Sequence, residues 1–103
     1  MASTVNRPRA LVLDREDSVA VLLDPVANGE AVMLLDSGSQ ALGTVKVSTP
    51  IEPFHKIAIR GIGQGEHVIK YGEVIGRASR SILRGDHVHI HNVESVRLSR
   101  GSR

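Results

Sequence analysis

Apolar positions come in short bursts separated by polar turns. Ala10-Leu11-Val12-Leu13, Val19 to Leu23 and Ala31 to Leu35 are compact apolar runs, and Thr44-Val45-Lys46-Val47-Ser48 alternates residue by residue. Period two marks a strand with one face buried, and brief unbroken runs suit strands covered on both faces. Asp14 to Ser18 reads as a polar turn, and Asp36-Ser37-Gly38-Ser39 as a loop extending as far as Gly43. Asp24-Pro25 reads as the start of a single helical turn, with Asp at the N-cap, Pro at the first position and Gly29 as the stop. Pro50 and Pro53 bracket an extended approach to Phe54-His55-Lys56. Apolar positions nowhere keep a helical period beyond about two turns. The pattern predicts an all-β domain of short, coiled strands with one-turn helices, and no helix longer than about three turns.

A small internal pattern supports this reading. Val26-Ala27-Asn28-Gly29-Glu30-Ala31-Val32, Ile62-Gly63-Gln64-Gly65-Glu66-His67-Val68 and Ile82-Leu83-Arg84-Gly85-Asp86-His87-Val88 share one plan. Each has an apolar residue three before a Gly, an acid just after it and a Val three after it. The plan reads as one helical turn, pinned by its apolar residue, stopped by Gly and passing directly into a strand. The spacing is too irregular for a solenoid. Gly61-Ile62-Gly63-Gln64-Gly65 is not a dinucleotide fingerprint, because Glu66 takes the last glycine position.

The third copy opens the most informative stretch, His87-Val88-His89-Ile90-His91-Asn92. In a strand His87, His89 and His91 would share one face, with Val88 and Ile90 on the other, apolar face. A solvated polar face explains one such histidine; three in register point to a metal, an anionic substrate or a partner. His89 and His91 would lie ~7 Å apart along the strand. Two imidazoles leave a coordination shell incomplete, so weak metal binding that a partner completes is expected.

Composition narrows the function classes. The chain has 103 residues, enough for one modest core. Aromatics make up 2%, Phe54 and Tyr71, so the core must be aliphatic, and there is no stacking platform for bases. Cysteine is absent, which removes disulfides and thiol nucleophiles. No apolar run approaches the ~20 residues of a spanning helix, and the first residues lack the apolar segment of a signal peptide. A cytoplasmic location without membrane attachment is expected. Five of the 13 basic residues, Arg7, Arg9, Arg97, Arg100 and Arg103, lie in the ends, whereas all 11 acids fall between Asp14 and Glu94. The body therefore carries more acids than bases and is a poor phosphate-binding surface, which argues against nucleic acid. Residues 1–9 read as a flexible tail, 10–96 as the folded domain and 97–103 as a basic tail.

Two further elements carry candidate chemistry. His55-Lys56 precedes the apolar run Ile57-Ala58-Ile59, and Lys70-Tyr71-Gly72-Glu73 has the form of a β-turn with Gly72 at positive φ. Each alone is explained as a solvated strand start or a turn. With the histidine row they supply cations, a phenol and an amide suited to a carboxylate or to sugar-acid hydroxyls. No complete acid–base pair accompanies them, so the chain reads as half a site.

His55-Lys56-Ile57-Ala58, then Lys70-Tyr71-Gly72 with Ile75-Gly76-Arg77-Ala78, then Gly85-Asp86-His87-Val88-His89-Ile90-His91-Asn92 resemble, in order and spacing, the small N-terminal domain of the altronate/galactarate dehydratase family. The resemblance covers Val19 to Val93. Phe54 stands where a Gly often precedes the His-Lys pair, and Ser18 where an Asn often follows the Asp. The resemblance implies an SAF-type β-clip fold. It also implies the small subunit of a sugar-acid (altronate-type) dehydratase, a lyase acting by β-elimination on a 2-hydroxy acid and silent without its large subunit. A sulfolactate sulfo-lyase small subunit, and a non-catalytic carbohydrate- or partner-binding β-clip module, are the alternatives. Self-association as a homo-oligomer is left open. The residues implied are Lys70, Tyr71 and His89 in catalysis, and His55, Lys56, His91 and Asn92 in substrate binding. His89 and His91 would be ligands to a divalent metal, iron or manganese, that the large subunit completes.

Overall fold

The computed structural model describes residues 7–96. The chain runs through β1 (Arg9–Leu11), β2 (Val19–Leu22), β3 (Ala31–Leu35), β4 (Ala41–Lys46), β5 (Lys56–Ala58), β6 (His67–Lys70), β7 (Glu73–Ala78), β8 (His87–Val88) and β9 (Val93–Glu94). There is no helix among the described residues, and none long and apolar enough to cross a membrane. The expected all-β class is what forms. Six strands pair in the order β4-β3-β1-β2-β5-β8 and three in the order β9-β7-β6. Within the named strands every pairing is antiparallel except β1 with β3, where Arg9 lies beside Met33.

The expected one-turn helices are tight turns instead. In each copy of the repeated plan the acid returns one backbone bond over three residues: Glu30 N–H to Ala27, Glu66 N–H to Gly63 and Asp86 N–H to Leu83. The glycine between takes positive φ, 85° at Gly29, 87° at Gly65 and 95° at Gly85, which a type II turn requires at its third position. The acid's carboxylate then accepts from the first N–H of its own turn, at 2.8 Å from Ala27, 2.7 Å from Gly63 and 2.8 Å from Leu83. The apolar residue ahead of each turn pairs with another segment: Val26 with Ile51, and Ile62 with Ile82. Asp24, expected to cap a helix, instead holds Arg9 (Nε–Oδ2 2.9 Å). Arg9 therefore belongs to β1 and not to the tail; residues 1–6 and 97–103 lie outside the described residues. The loop expected to reach Gly43 is shorter, because β4 begins at Ala41 and absorbs the irregularity as a register shift opposite Leu34 and Leu35.

Around β2, β5 and β8 both faces of the large sheet are covered. Ala20, Leu22 and Ile57 pack into a core with Val32, Leu34, Val45 and Val47. Val19, Ala58 and Val88 point the other way, into a second core with Val68, Ala78 and Ile82 from the region of the small sheet. Such two-sided burial is why β2 reads as an unbroken apolar run. The sheet also curls. Arg84, just before β8, donates to the carbonyls of Ile59 (3.1 Å) and of Thr44 on β4 (3.1 Å). A side chain on Gly85 would strike the carbonyl of Lys46, so the two outer strands approach one another.

Asp17 and Ser18 fasten the small sheet to the large one. Asp17 is 1% exposed. Its carboxylate accepts from Asp14 N–H (3.0 Å), Leu13 N–H (3.2 Å) and Gly72 N–H (2.9 Å). Ser18 exchanges bonds with Ile69: its N–H donates to the Ile69 carbonyl (2.9 Å), and its Oγ accepts from Ile69 N–H (2.8 Å). Removing a buried acceptor strands all its donors, so Asp17→Ala should lower the unfolding free energy by roughly 2–4 kcal/mol. Urea denaturation checks this; a variant as stable as the parent would mean that the fastening contributes nothing.

Candidate functional site

The ladder between β5 and β8 builds the site. Lys56 lies opposite Val88, and Ile57 opposite His87. One step further the same register sets His55 against His89, and their rings stack with centroids 4.8 Å apart. His87 stacks on both, at 5.0 Å from His55 and 5.3 Å from His89. His55 Nδ1 lies 2.8 Å from His87 Nε2. A nitrogen from each of His55, His87 and His89 falls within 4.8 Å of the others.

The histidine row thus forms, but not as one long strand. Pairing stops at Val88 and residues 89–92 form a turn. Ile90, expected on the core face, is 83% exposed as a result. His91 lies with its ring tilted 5.4 Å from His87, outside the three-nitrogen group. Asn92, expected to bind substrate, is 4% exposed and engaged with the turn: its Oδ1 accepts from His89 N–H (3.0 Å) and its Nδ2 donates to the His87 carbonyl (2.8 Å). Asn92 thereby fixes the backbone that carries both histidines.

On the other side of the β5–β8 edge, Lys56, Lys70 and His89 line one cleft of about 420 Å³ between the two sheets, with Ile75, Val88, Val93 and Glu94. Glu94 is held by Arg77 at 2.9 Å. The structure therefore gathers Lys56, Lys70 and His89, which lie far apart in sequence. Tyr71 stands outside that lining, 69% exposed, on a two-residue hairpin turn in which Tyr71 (φ 60°) and Gly72 (φ 76°) are both left-handed. This is the type I′ geometry that matches strand twist. Phe54 also has positive φ, 71°, and follows Pro53 in the turn closed by His55 N–H on the Glu52 carbonyl. That third turn position favours glycine, which gives a physical reason for a Gly ahead of a His-Lys pair and makes Phe54 a costly, exposed occupant.

Charge shapes the cluster. Burial, then repulsion from the ionisable neighbours His55, His89, His91 and Lys56, pushes His87 down to about 4. Burial first, then Lys70, lowers the Lys56 ammonium from its ordinary value. Both groups are biased toward their neutral, lone-pair-bearing forms.

The coiled all-β fold described above is that of an SAF domain, as the family match shows. The chain belongs to the family described as the altronate/galactarate dehydratase SAF domain, which matches residues 8–96. It is similar to the (2R)-sulfolactate sulfo-lyase subunit alpha of Chromohalobacter salexigens, 39% identical over 90 residues that are 84% of this chain and 94% of that protein. It is also similar to the altronate dehydratases of Bacillus subtilis, 32% identical over 81% of this chain, and of Escherichia coli, 38% identical over 77%. The matches span only 16% and 15% of those two longer proteins.

His87 yields a pH prediction. With a folded value near 4 against an ordinary 6.5, the unfolded chain binds more protons between those limits, so stability rises with pH across that window. The contribution is complete above about 6.5 and is lost as pH falls toward 4. In chelator-treated protein, the difference in unfolding free energy between parent and His87→Gln should change over pH 4–6.5. A constant difference would refute the assignment.

Proposed function

We propose that this chain is the small subunit of a two-subunit sugar-acid dehydratase. That enzyme would be a cytoplasmic lyase removing water from a 2-hydroxy acid of the altronate type, with a separate large subunit carrying the rest of the active site. The observation that carries this is the convergence of Lys56, Lys70 and His89 on one cleft, while the only carboxylate lining it among the described residues, Glu94, is already paired. Two cations suit a substrate carboxylate and the negative charge that grows on it when the adjacent proton leaves. Lys56, whose ammonium burial and Lys70 make easier to deprotonate, is the group able to move a proton, and His89 lines the same cleft. Lys70 enters from the end of β6 with Tyr71 on the adjoining hairpin tip, and His55 and His91 extend the polar surface toward substrate hydroxyls. Asn92 acts by holding the His87–His89 backbone. A divalent metal, iron or manganese, shared with the large subunit would supply a Lewis acid for the carboxylate or the leaving hydroxyl.

Elimination of sulfite from sulfolactate is the second reading. It has its own observation: the match spans 94% of a protein named as a sulfo-lyase subunit alpha and 84% of this chain. Both reactions are β-eliminations on a hydroxy acid, and the cationic cleft serves either.

Co-expression with the large-subunit reading frame expected beside this gene tests the proposal. The two chains should co-purify, the isolated chain should be silent, and the complex should release water from altronate or sulfite from sulfolactate. In the complex, Lys70→Ala and His89→Ala should each lower kcat about 10²-fold or more. The melting temperature of His89→Ala should stay close to the parent's, because an exposed substitution costs within about 0.5 kcal/mol. Turnover by the isolated chain, or unchanged kcat in both variants, would overturn the reading.

A further inference from the structure

Expectation from sequence placed a metal on His89 and His91, with the shell left for a partner to complete. The folded chain offers more. His55, His87 and His89 present three imidazole nitrogens within 4.8 Å of one another, the closest pair 2.8 Å apart. Nitrogens bound to one tetrahedral first-row ion at about 2.0–2.1 Å sit ~3.4 Å apart, inside that range. The rings lie close together, with centroids 4.8–5.3 Å apart and planes 11–30° from one another.

The surroundings favour a ligand. His55 and His87 are half-buried, and the only hydrogen bond these three rings make among the described residues is the one between His55 and His87. Imidazoles in that position otherwise find a carbonyl, a carboxylate or an ion. Two nitrogens come from β8 and the turn that Asn92 clamps, and the third comes from the residue just before β5, which the β5–β8 register brings alongside. His89 is exposed, which leaves the outer side open for a water or a carboxylate oxygen.

We infer that His55, His87 and His89 form a three-histidine site that binds one divalent ion of the zinc class on this chain alone, with its fourth position open to solvent or ligand. An all-imidazole donor set suits zinc, copper, nickel or iron better than magnesium or manganese. The inference stands on the histidine geometry and not on the lyase reading. A chain that binds the ion yet finds no lyase partner would sink only the latter.

The test uses the untagged full chain stripped with chelator. Calorimetric titration with zinc should show one saturable site per chain, cobalt should develop the visible absorption of a nitrogen-bound tetrahedral centre, and magnesium should show neither. His55→Ala, His87→Ala and His89→Ala should each weaken zinc binding at least about tenfold. His67→Ala, an exposed histidine on β6 outside the group, should bind as the parent does. Circular dichroism in chelator identifies which variants are folded, and the exposed His89 gives a variant whose fold is least at risk. Absence of saturable zinc binding, equal loss in His67→Ala, or undiminished affinity in the folded triad variants would overturn the inference.

Discussion

A buried carboxylate holds this domain together. Asp17 sits under the turn after β1 and accepts N–H groups from both its own turn and the β6–β7 hairpin, while Ser18 beside it doubles the tie. Without those bonds the small sheet would meet the large one mainly through aliphatic contact, which has no preferred direction. With them the hairpin is oriented, and Lys70 is brought to the cleft that Lys56 and His89 line from the other sheet. The distance between the cationic groups is thus a property of a polar staple far from them in sequence.

The second constraint is curvature. The large sheet coils until the end of β4 touches the turn before β8, and at Gly85 only hydrogen fits against the Lys46 carbonyl. That closure delivers the very short β8 to β5 in the register that faces His55 with His89. Glycine at positive φ followed by an acid solves the same problem three times: it reverses the chain in four residues and satisfies an N–H that a sharp turn would otherwise leave open.

Much of this was legible in the sequence. Period-two runs and turn residues located the strands, and the repeated Gly-acid plan marked the three turns, although as helical turns. The single i→i+3 bond is common to both; the positive φ that separates them is not visible in residue types. What stayed hidden depends on partners distant in sequence. Asp17 looked like one more polar turn residue, because the hairpin N–H it accepts, that of Gly72, lies 55 residues on. His55 could not be joined to His87 and His89 without the β5–β8 register. Ile90 read as core because alternation was carried past Val88, where the strand stops, and Asn92 read as a ligand group because nothing in the pattern shows a side chain folded back on its own turn.

The aliphatic core leaves the chain with an unusual optical property. It has no Trp, and its single Tyr stands on the hairpin tip beside Lys70, exposed to whatever approaches the cleft. All intrinsic ultraviolet fluorescence of the protein above the phenylalanine band therefore originates from one ring at the margin of the candidate site. Docking against that tip would quench or shift the whole signal instead of a fraction of it, so the domain carries a built-in reporter of its own encounters.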